Sequence, residues 1–164
     1  MSHKLELTAQ GDREIVITRM FDAPPHLVFD ALTIPALLKR WFTGPDGWTL
    51  ATCEIDLRVG GAYRYVWENL DGTRMGTGGL YREILSPERI LQTEKYDDNW
   101  TGGETLNTAT LTPIGDATRL TTTVVYPSRE MRDAAVQSPM ESGITIGYDR
   151  LDTVLAAVQQ EQAQ

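Results

Sequence analysis

Apolar and polar residues alternate along much of this chain, which is the pattern of β-strands with one buried face. The first alternating run covers residues 14–21, and six more follow between residues 48 and 126 without an intervening helix. Their predicted bounds are 48–57, 63–68, 75–85, 89–96, 105–114 and 117–126. Short turns such as Gly60-Gly61 and Gly115-Asp116 join them. Consecutive strands with short turns predict an antiparallel sheet of about seven strands.

The C-terminal part of the chain has the spacing of a helix instead. Six apolar residues recur at intervals of three and four, on one face of a helix about five turns long: Met140, Ile144, Tyr148, Leu151, Leu155 and Val158. Ser138, Pro139 and Glu141 predict a capping box at its start. Gly143 and Gly147 border the apolar face and indicate either tight packing on a sheet or the close approach of a ligand.

Proline positions predict shorter helices elsewhere. Pro24, Pro25 and Pro35 place two short helices directly after the first strand, and Ser128 caps another that ends near residue 137. The element order therefore predicts an α+β fold, in which a curved antiparallel sheet wraps around the long C-terminal helix. We expect one domain over residues 13–159, a loose segment at 1–12 and a flexible tail at 160–164.

Composition narrows the classes of function. The chain has 164 residues, 41% of them hydrophobic, which is enough for a single core. A net charge of −8 disfavours nucleic-acid binding. No apolar run reaches the length of a membrane span, and the N-terminus lacks a secretory signal, so a cytoplasmic location is expected. A single cysteine excludes an internal disulfide and a cysteine metal cluster. We expect neither a metal nor a cofactor.

An aromatic face is the main candidate site. Tyr63, Tyr65 and Trp67 share one side of their predicted strand, opposite the helix residues Ile144 and Tyr148. With Trp41 and Met75 they could line a ligand cavity, in which tyrosine hydroxyls and tryptophan N–H groups supply the polar contacts. The alternative is a filled core, in which the rings simply touch the helix.

Three tryptophans allow two interpretations each. Trp41 and Trp48 flank the Gly44–Gly47 loop, as a lid or as anchors of a short helix on the sheet. Trp100 lies in a loop with Gly102 and Gly103, where it could grip a ligand or a partner, or fold back.

The titratable residues do not form a recognisable catalytic set. Cys53 alternates with inward residues and is interpreted as an inert buried thiol. His3 and His26 have no acid or nucleophile nearby in sequence. A buried acid–base pair could combine Glu83 or Glu94 with an arginine, and surface ion pairs are the alternative. The arginines in question are Arg64, Arg74 and Arg82. A bulge near the glycines at 76–79 would reverse which side chains face inward.

Several local strings resemble a known superfamily. They are Phe21-Asp22-Ala23-Pro24, Leu38-Lys39-Arg40-Trp41-Phe42, Gly60-Gly61-Ala62-Tyr63-Arg64-Tyr65, Gly79-Leu80-Tyr81-Arg82-Glu83-Ile84 and Tyr148-Asp149-Arg150-Leu151. Over residues 13–158 the chain resembles the START-like, helix-grip (SRPBCC) superfamily. More narrowly, it is similar to the bacterial group that resembles the C-terminal domain of the activator of Hsp90 ATPase. The resemblance implies a helix-grip fold with a cavity between helix and sheet.

Three functions follow as hypotheses, because this superfamily includes lipid carriers, hormone receptors, cyclases and co-chaperones. The first is the binding of a small apolar or aromatic molecule. The second is interaction with an Hsp90-type chaperone. The third is a cofactor-free cyclase or hydrolase, tested at Tyr65 and Glu83, which is disfavoured since no histidine falls on a predicted cavity strand. A homodimer would cover an exposed edge strand.

Overall fold

The computed structural model describes residues 3–99 and 101–163. Its strands are β1 (Glu6–Gln10), β2 (Glu14–Phe21), β3 (Trp48–Ile55), β4 (Ala62–Asn69), β5 (Arg74–Leu85), β6 (Arg89–Tyr96), β7 (Thr105–Ile114) and β8 (Ala117–Val125). Its helices are α1 (Pro25–Thr33), α2 (Pro35–Trp41), α3 (Arg129–Gln137) and α4 (Met140–Gln162).

The strands form one antiparallel sheet in the order β1-β2-β8-β7-β6-β5-β4-β3. Helices α1 and α2 carry the chain from β2 to the far edge at β3, and the chain then returns strand by strand to β8. The predicted α+β helix-grip fold is confirmed, with eight strands where about seven were expected.

The additional strand is β1, so the prediction of a loose segment over residues 1–12 is wrong for residues 6–10. This strand pairs with β2 from Glu6↔Thr18 to Gln10↔Glu14. The buried Arg132 of α3 donates hydrogen bonds to the carbonyls of Gln10, Gly11 and Glu14, at 2.9–3.2 Å. Because β1 is exposed along most of its length, it lacks the alternation that identifies a strand from sequence.

Two details of α4 also differ from the sequence-based expectations. Ser138 ends α3, donating its hydroxyl hydrogen bond to the Ala135 carbonyl at 2.5 Å, and does not cap α4. The helix continues to Gln162, through most of the predicted tail. An added Cβ at Gly143 would meet open space, and one at Gly147 would only touch the Trp41 ring at 4.0 Å. The glycines therefore do not serve a close approach to the sheet.

The core consists of two hydrophobic clusters on the inner face of the sheet. The first core cluster joins α1, α2 and the second half of α4 to the sheet, and includes Phe21, Leu120 and Leu151. The second core cluster contains Ile15, Val124 and other residues near α3. Leu151, Val154 and Leu155 are the buried residues of α4, whereas those in its first half are at most half-buried. The second half of α4 is therefore more deeply buried than the first, which packs against the second core cluster through half-buried side chains.

A buried ionic contact attaches α4 to β2. The Arg19 side chain is 1% exposed and donates to both Asp152 oxygens at 2.8 and 2.5 Å, and to Asp149 at 2.9 Å. Its guanidinium also lies 4.6 Å from the centre of the Phe21 ring. Farther along the same helix, Arg150 donates to Thr43 and Gly44, which fixes the loop after α2.

Replacing Arg19 tests this attachment. Arg19→Met should lower the free energy of unfolding by about 1.5–3 kcal/mol, because two partly exposed acidic side chains lose their charge-assisted hydrogen bonds. Arg58→Met is the matched control, since the Arg58–Asp56 pair is exposed and should contribute less than about 1 kcal/mol. Urea denaturation measures both variants, and equal losses would contradict a special role for Arg19.

Candidate functional site

A strip of inner-face residues between the two core clusters keeps accessible surface. This inner patch consists of Gln92, Glu94, Asn107, Ala109 and Thr122, all half-buried. The strand register makes it continuous, because Gln92 pairs with Asn107 and Ala109 with Thr122. Residues farther along the same face, such as Leu111 and Val124, are buried. The inner patch faces α4, so its accessible surface indicates a space between the helix and the sheet.

Aromatic rings form one side of this space. Tyr63, Tyr65 and Trp67 are buried on the inner face of β4, with centroid distances of 5.0 Å for Tyr63–Tyr65 and 6.1 Å for Tyr65–Trp67. Phe42 lies edge-on to Tyr65 and Trp67, at 5.4 and 5.1 Å. Its other neighbour is Trp41, at 5.1 Å. We call this set, from Tyr63 to Trp41, the aromatic row.

The aromatic row reaches α4 through Tyr148. Its ring centre is 6.1 Å from that of Trp41 and 5.2 Å from that of Phe21. Tyr148 packs against both core clusters, and a hydrogen bond joins its hydroxyl to Thr122 of the inner patch. Five of the predicted site residues therefore lie together: Trp41, Tyr63, Tyr65, Trp67 and Tyr148.

The tryptophan N–H groups do not point to a ligand as expected. Trp41 donates to the Ala31 carbonyl and Trp67 to the Phe42 carbonyl, both at 2.9 Å. Trp41 is only 4% exposed, so it anchors α2 and is not a lid.

Two other predicted residues make no ring contact with the aromatic row, although Met75 pairs with Trp67 across the sheet. Met75 is 37% exposed and borders a groove on the outside of the sheet, beside Trp48 and Arg64. Ile144 packs against the second core cluster. Trp100 lies outside the described residues.

Glu94 is the acidic member of the inner patch, and its neighbours across the sheet are small. It pairs with Thr105 on β7. On β5, Gly78 pairs with Lys95, which puts Gly79 against the peptide that links Thr93 to Glu94. A Cβ at Gly79 would overlap the Thr93 carbonyl, so glycine permits this close contact between strands. The Glu94 carboxyl is thus flanked by small, uncharged residues on the neighbouring strands.

Three tyrosine side chains lie near the Glu94 carboxyl. Burial, and then the nearby charge of Glu94, raise the pKa of Tyr126 to about 12. The same two causes raise the pKa of Tyr63 and Tyr96. The Tyr63 hydroxyl donates to the Thr93 carbonyl at 2.6 Å, next to Glu94 in the chain.

Burial raises the pKa of Glu94 to about 7, although a hydrogen bond from Asn107 acts in the opposite direction. Asn107 also donates to the Thr105 hydroxyl at 3.1 Å, which orients its amide. Across residues 3–99 and 101–163, no lysine, arginine or histidine forms an ion pair with Glu94. The space therefore contains a carboxyl group that can gain or lose a proton near neutral pH.

Of the two alternatives for these acids and arginines, the structure has surface ion pairs and not a buried acid–base pair. Glu83 lies on the outer face with Arg89, at 2.9 Å. Arg64 pairs with Asp97 at 2.6 Å, and Arg74 with Glu68 at 3.4 Å. Sequence reasoning did not single out Glu94 as a residue of the space. Ile90 and Tyr96, which share its alternation on β6, were the available signal.

The cysteine and the two histidines do not belong to the inner patch. Cys53 is buried, and burial raises its pKa to about 11, which confirms an inert thiol. His3 contacts Asp22 at 2.8 Å near the N-terminus, and His26 is exposed on α1.

Among the described residues, no group of three His, Cys, Asp or Glu side chains could hold a metal ion. Within the same residues, no helix has the length and apolar character needed to cross a membrane.

Comparison with known proteins assigns the family. Residues 22–156 match the family described as activator of Hsp90 ATPase homolog 1-like protein. The chain belongs to this family. The family's match covers every strand from β3 to β8 and α4 as far as residue 156, so it includes the inner patch and the aromatic row. No curated protein is significantly similar to the chain.

Solved bacterial structures share the fold. A protein of Rhodobacter sphaeroides is 34% identical with a TM-score of 0.89, covering 93% of this chain and 98% of its own. A protein of Chromobacterium violaceum is 29% identical with a TM-score of 0.68, at coverages of 87% and 96%. A Mycobacterium smegmatis protein, 20% identical with a TM-score of 0.82 and coverages of 94% and 99%, shows the fold alone.

The raised pKa of Glu94 predicts a pH-dependent effect of Glu94→Gln. The folded protein binds the Glu94 proton up to about pH 7, whereas the unfolded chain releases it at a lower pH. The wild type therefore loses stability as the pH rises through this interval. Glu94→Gln should be more stable than wild type by about 1–3 kcal/mol at pH 8, with almost no gain at pH 4.

Chemical denaturation at the two pH values measures this difference. Glu54→Gln removes the same charge from the exposed side of β3 and is the control. A gain from Glu94→Gln that is equal at pH 4 and pH 8 would contradict the burial of the carboxyl.

Proposed function

We propose that this protein binds a small molecule, with an apolar or aromatic body and a polar group, in the space between α4 and the sheet. The observation that carries this proposal is the inner patch, whose side chains keep accessible surface beneath the helix. A packed interior would have closed over these residues, as it does over Leu111 and Val124 on the same face.

The chemistry of the space supports an amphiphilic ligand. The aromatic row offers an apolar surface, and the inner patch adds a carboxyl, two amides and a hydroxyl. Ligand sites are commonly apolar surfaces with a few polar groups that fix the orientation of the ligand. The tyrosine and inner-patch groups would provide that orientation here. The N–H groups of Trp41 and Trp67 already bond to backbone carbonyls.

The attachment of α4 supports an entrance near its first half. Met140, Ile144 and Tyr148 are half-buried there, whereas Leu151 and Leu155 close the other end. A ligand that enters beside Tyr148 would reach the inner patch without disturbing the first core cluster.

A catalytic role is the second candidate, and Glu94 is the observation that favours it. A carboxyl with a pKa of about 7 suits general acid–base catalysis at neutral pH. Tyr65 is hydrogen-bonded to Tyr81, and Glu83 lies on the outer face. Glu94 therefore replaces Glu83 as the residue to test against any turnover. A substrate converted equally by wild type and Glu94→Gln would refute this role.

Contact with an Hsp90-type chaperone is a proposal that rests on the family description. A change in the ATPase rate of a purified bacterial Hsp90 on addition of the protein would support it, and an unchanged rate would refute it.

Filling the space tests the ligand-binding proposal. Ala109→Phe adds a ring to the inner patch, whereas Thr108→Phe adds the same ring to the opposite face of β7. In native mass spectrometry of protein purified from its own host, wild type and Thr108→Phe should retain a small-molecule adduct that Ala109→Phe has lost. An adduct retained by both variants would place the site elsewhere. A protein that carries no adduct and binds no small aromatic probe would contradict the proposal.

A further inference from the structure

Acidic side chains lie in two places around the interior, Asp149 and Asp152 on α4 and Glu94 on the inner face of β6. Arg19 is buried on the inner face of β2, but it is already shared by Asp149 and Asp152. Glu94 lies on β6, which is separated from β2 in the sheet by β8 and β7. Within the described part of the chain, Glu94 forms no ion pair. When Glu94 is ionised, the space therefore contains a negative charge without a compensating positive one.

The surroundings of Glu94 favour a positive partner over a negative one. The neighbours of Glu94 on the adjoining strands, Thr105 and Gly79, carry no charge. Tyr63, Tyr96 and Tyr126 lie close enough to respond to the charge of the carboxyl. Aromatic faces attract cations, and charge pairing strengthens where water is restricted. The net charge of −8 also attracts cations and repels anions at long range.

Asn107 prepares the carboxyl for such a partner. Its amide bonds to both Glu94 and the Thr105 hydroxyl, so it fixes the position of the acid on the inner face. An oriented carboxylate forms a stronger charge-assisted hydrogen bond, because less freedom is lost when the ligand arrives.

We propose that the ligand of this protein is an amine, whose protonated nitrogen pairs with the Glu94 carboxylate while its apolar body lies along the aromatic row. The inference rests on the proposed ligand site and narrows its chemistry. It excludes fatty acids and other carboxylates, since an anion beside Glu94 would be repelled.

Three probes of one shape separate the charge of the ligand from its apolar body. They are 2-naphthylmethylamine, 2-naphthylmethanol and 2-naphthoate, each titrated into the protein by calorimetry at pH 8. The amine should bind at least about tenfold more tightly than the alcohol, because only the amine forms a charge-assisted hydrogen bond. The carboxylate should bind more weakly than either.

Two matched variants assign the preference to one side chain. In Glu94→Gln the ratio of amine to alcohol affinity should fall to about one, whereas the exposed Glu54→Gln should keep the wild-type ratio. A ratio that falls equally in both variants would assign the preference to overall charge and overturn the role of Glu94.

The remaining outcomes distinguish this inference from the proposed function. If the alcohol or the carboxylate binds wild type as tightly as the amine, the amine is overturned and the ligand site stands. If none of the three probes binds, both are overturned. Because Glu94→Gln is nearly isosteric, circular dichroism and thermal denaturation at pH 8 verify that the variant is folded before its affinities are compared.

Discussion

The contact of Arg19 with α4 determines how much of the interior is filled. A guanidinium this deeply buried requires compensating charge, and Asp149 and Asp152 supply it from adjacent positions on one face of the helix. Their position fixes both the rotation and the height of α4 over β2. Leu151, Val154 and Leu155 around this contact are buried, whereas the apolar residues earlier in α4 pack against the second core cluster and stay half-buried. The space over the inner patch is thus a consequence of where the helix is attached.

The two core clusters stabilise the fold, and the polar inner patch lies between them. The apolar contacts of the two clusters hold the sheet, α3 and α4 together, and from the inner patch only Ala109 is among the hydrophobic residues packed against them in the described part of the chain. The inner patch can therefore carry polar groups that a continuous core would exclude. Glu94 illustrates the cost, because an acid without a cationic partner destabilises the folded state once it is ionised. Such local costs are typical of residues that bind a ligand or transfer a proton.

The sequence was a good guide to what depends on local pattern. Alternation and helical spacing predicted the strands from β2 to β8 and the terminal helix. They also predicted four residues of the aromatic row, and Tyr148 beside it. The sequence failed where the decisive partner is distant. β1 is paired by β2 and held by Arg132, more than 110 residues away, and its own residues are mostly exposed. Which acids of β5 and β6 face inward depends on the strand register, and this shifts between Tyr81 and Glu83. Pattern alone does not fix such a register.

The two glycines of α4 have a different consequence from the close packing first expected of them. Gly143 and Gly147 both fall in the less deeply buried half of the helix, and each lowers helical propensity by about 1 kcal/mol relative to alanine. Fewer tertiary contacts and weaker propensity coincide there, so fraying of this segment requires less free energy than opening of the more deeply buried half. Transient unwinding of a single helical turn there would widen the space of the proposed ligand site, while the rest of the fold keeps its shape.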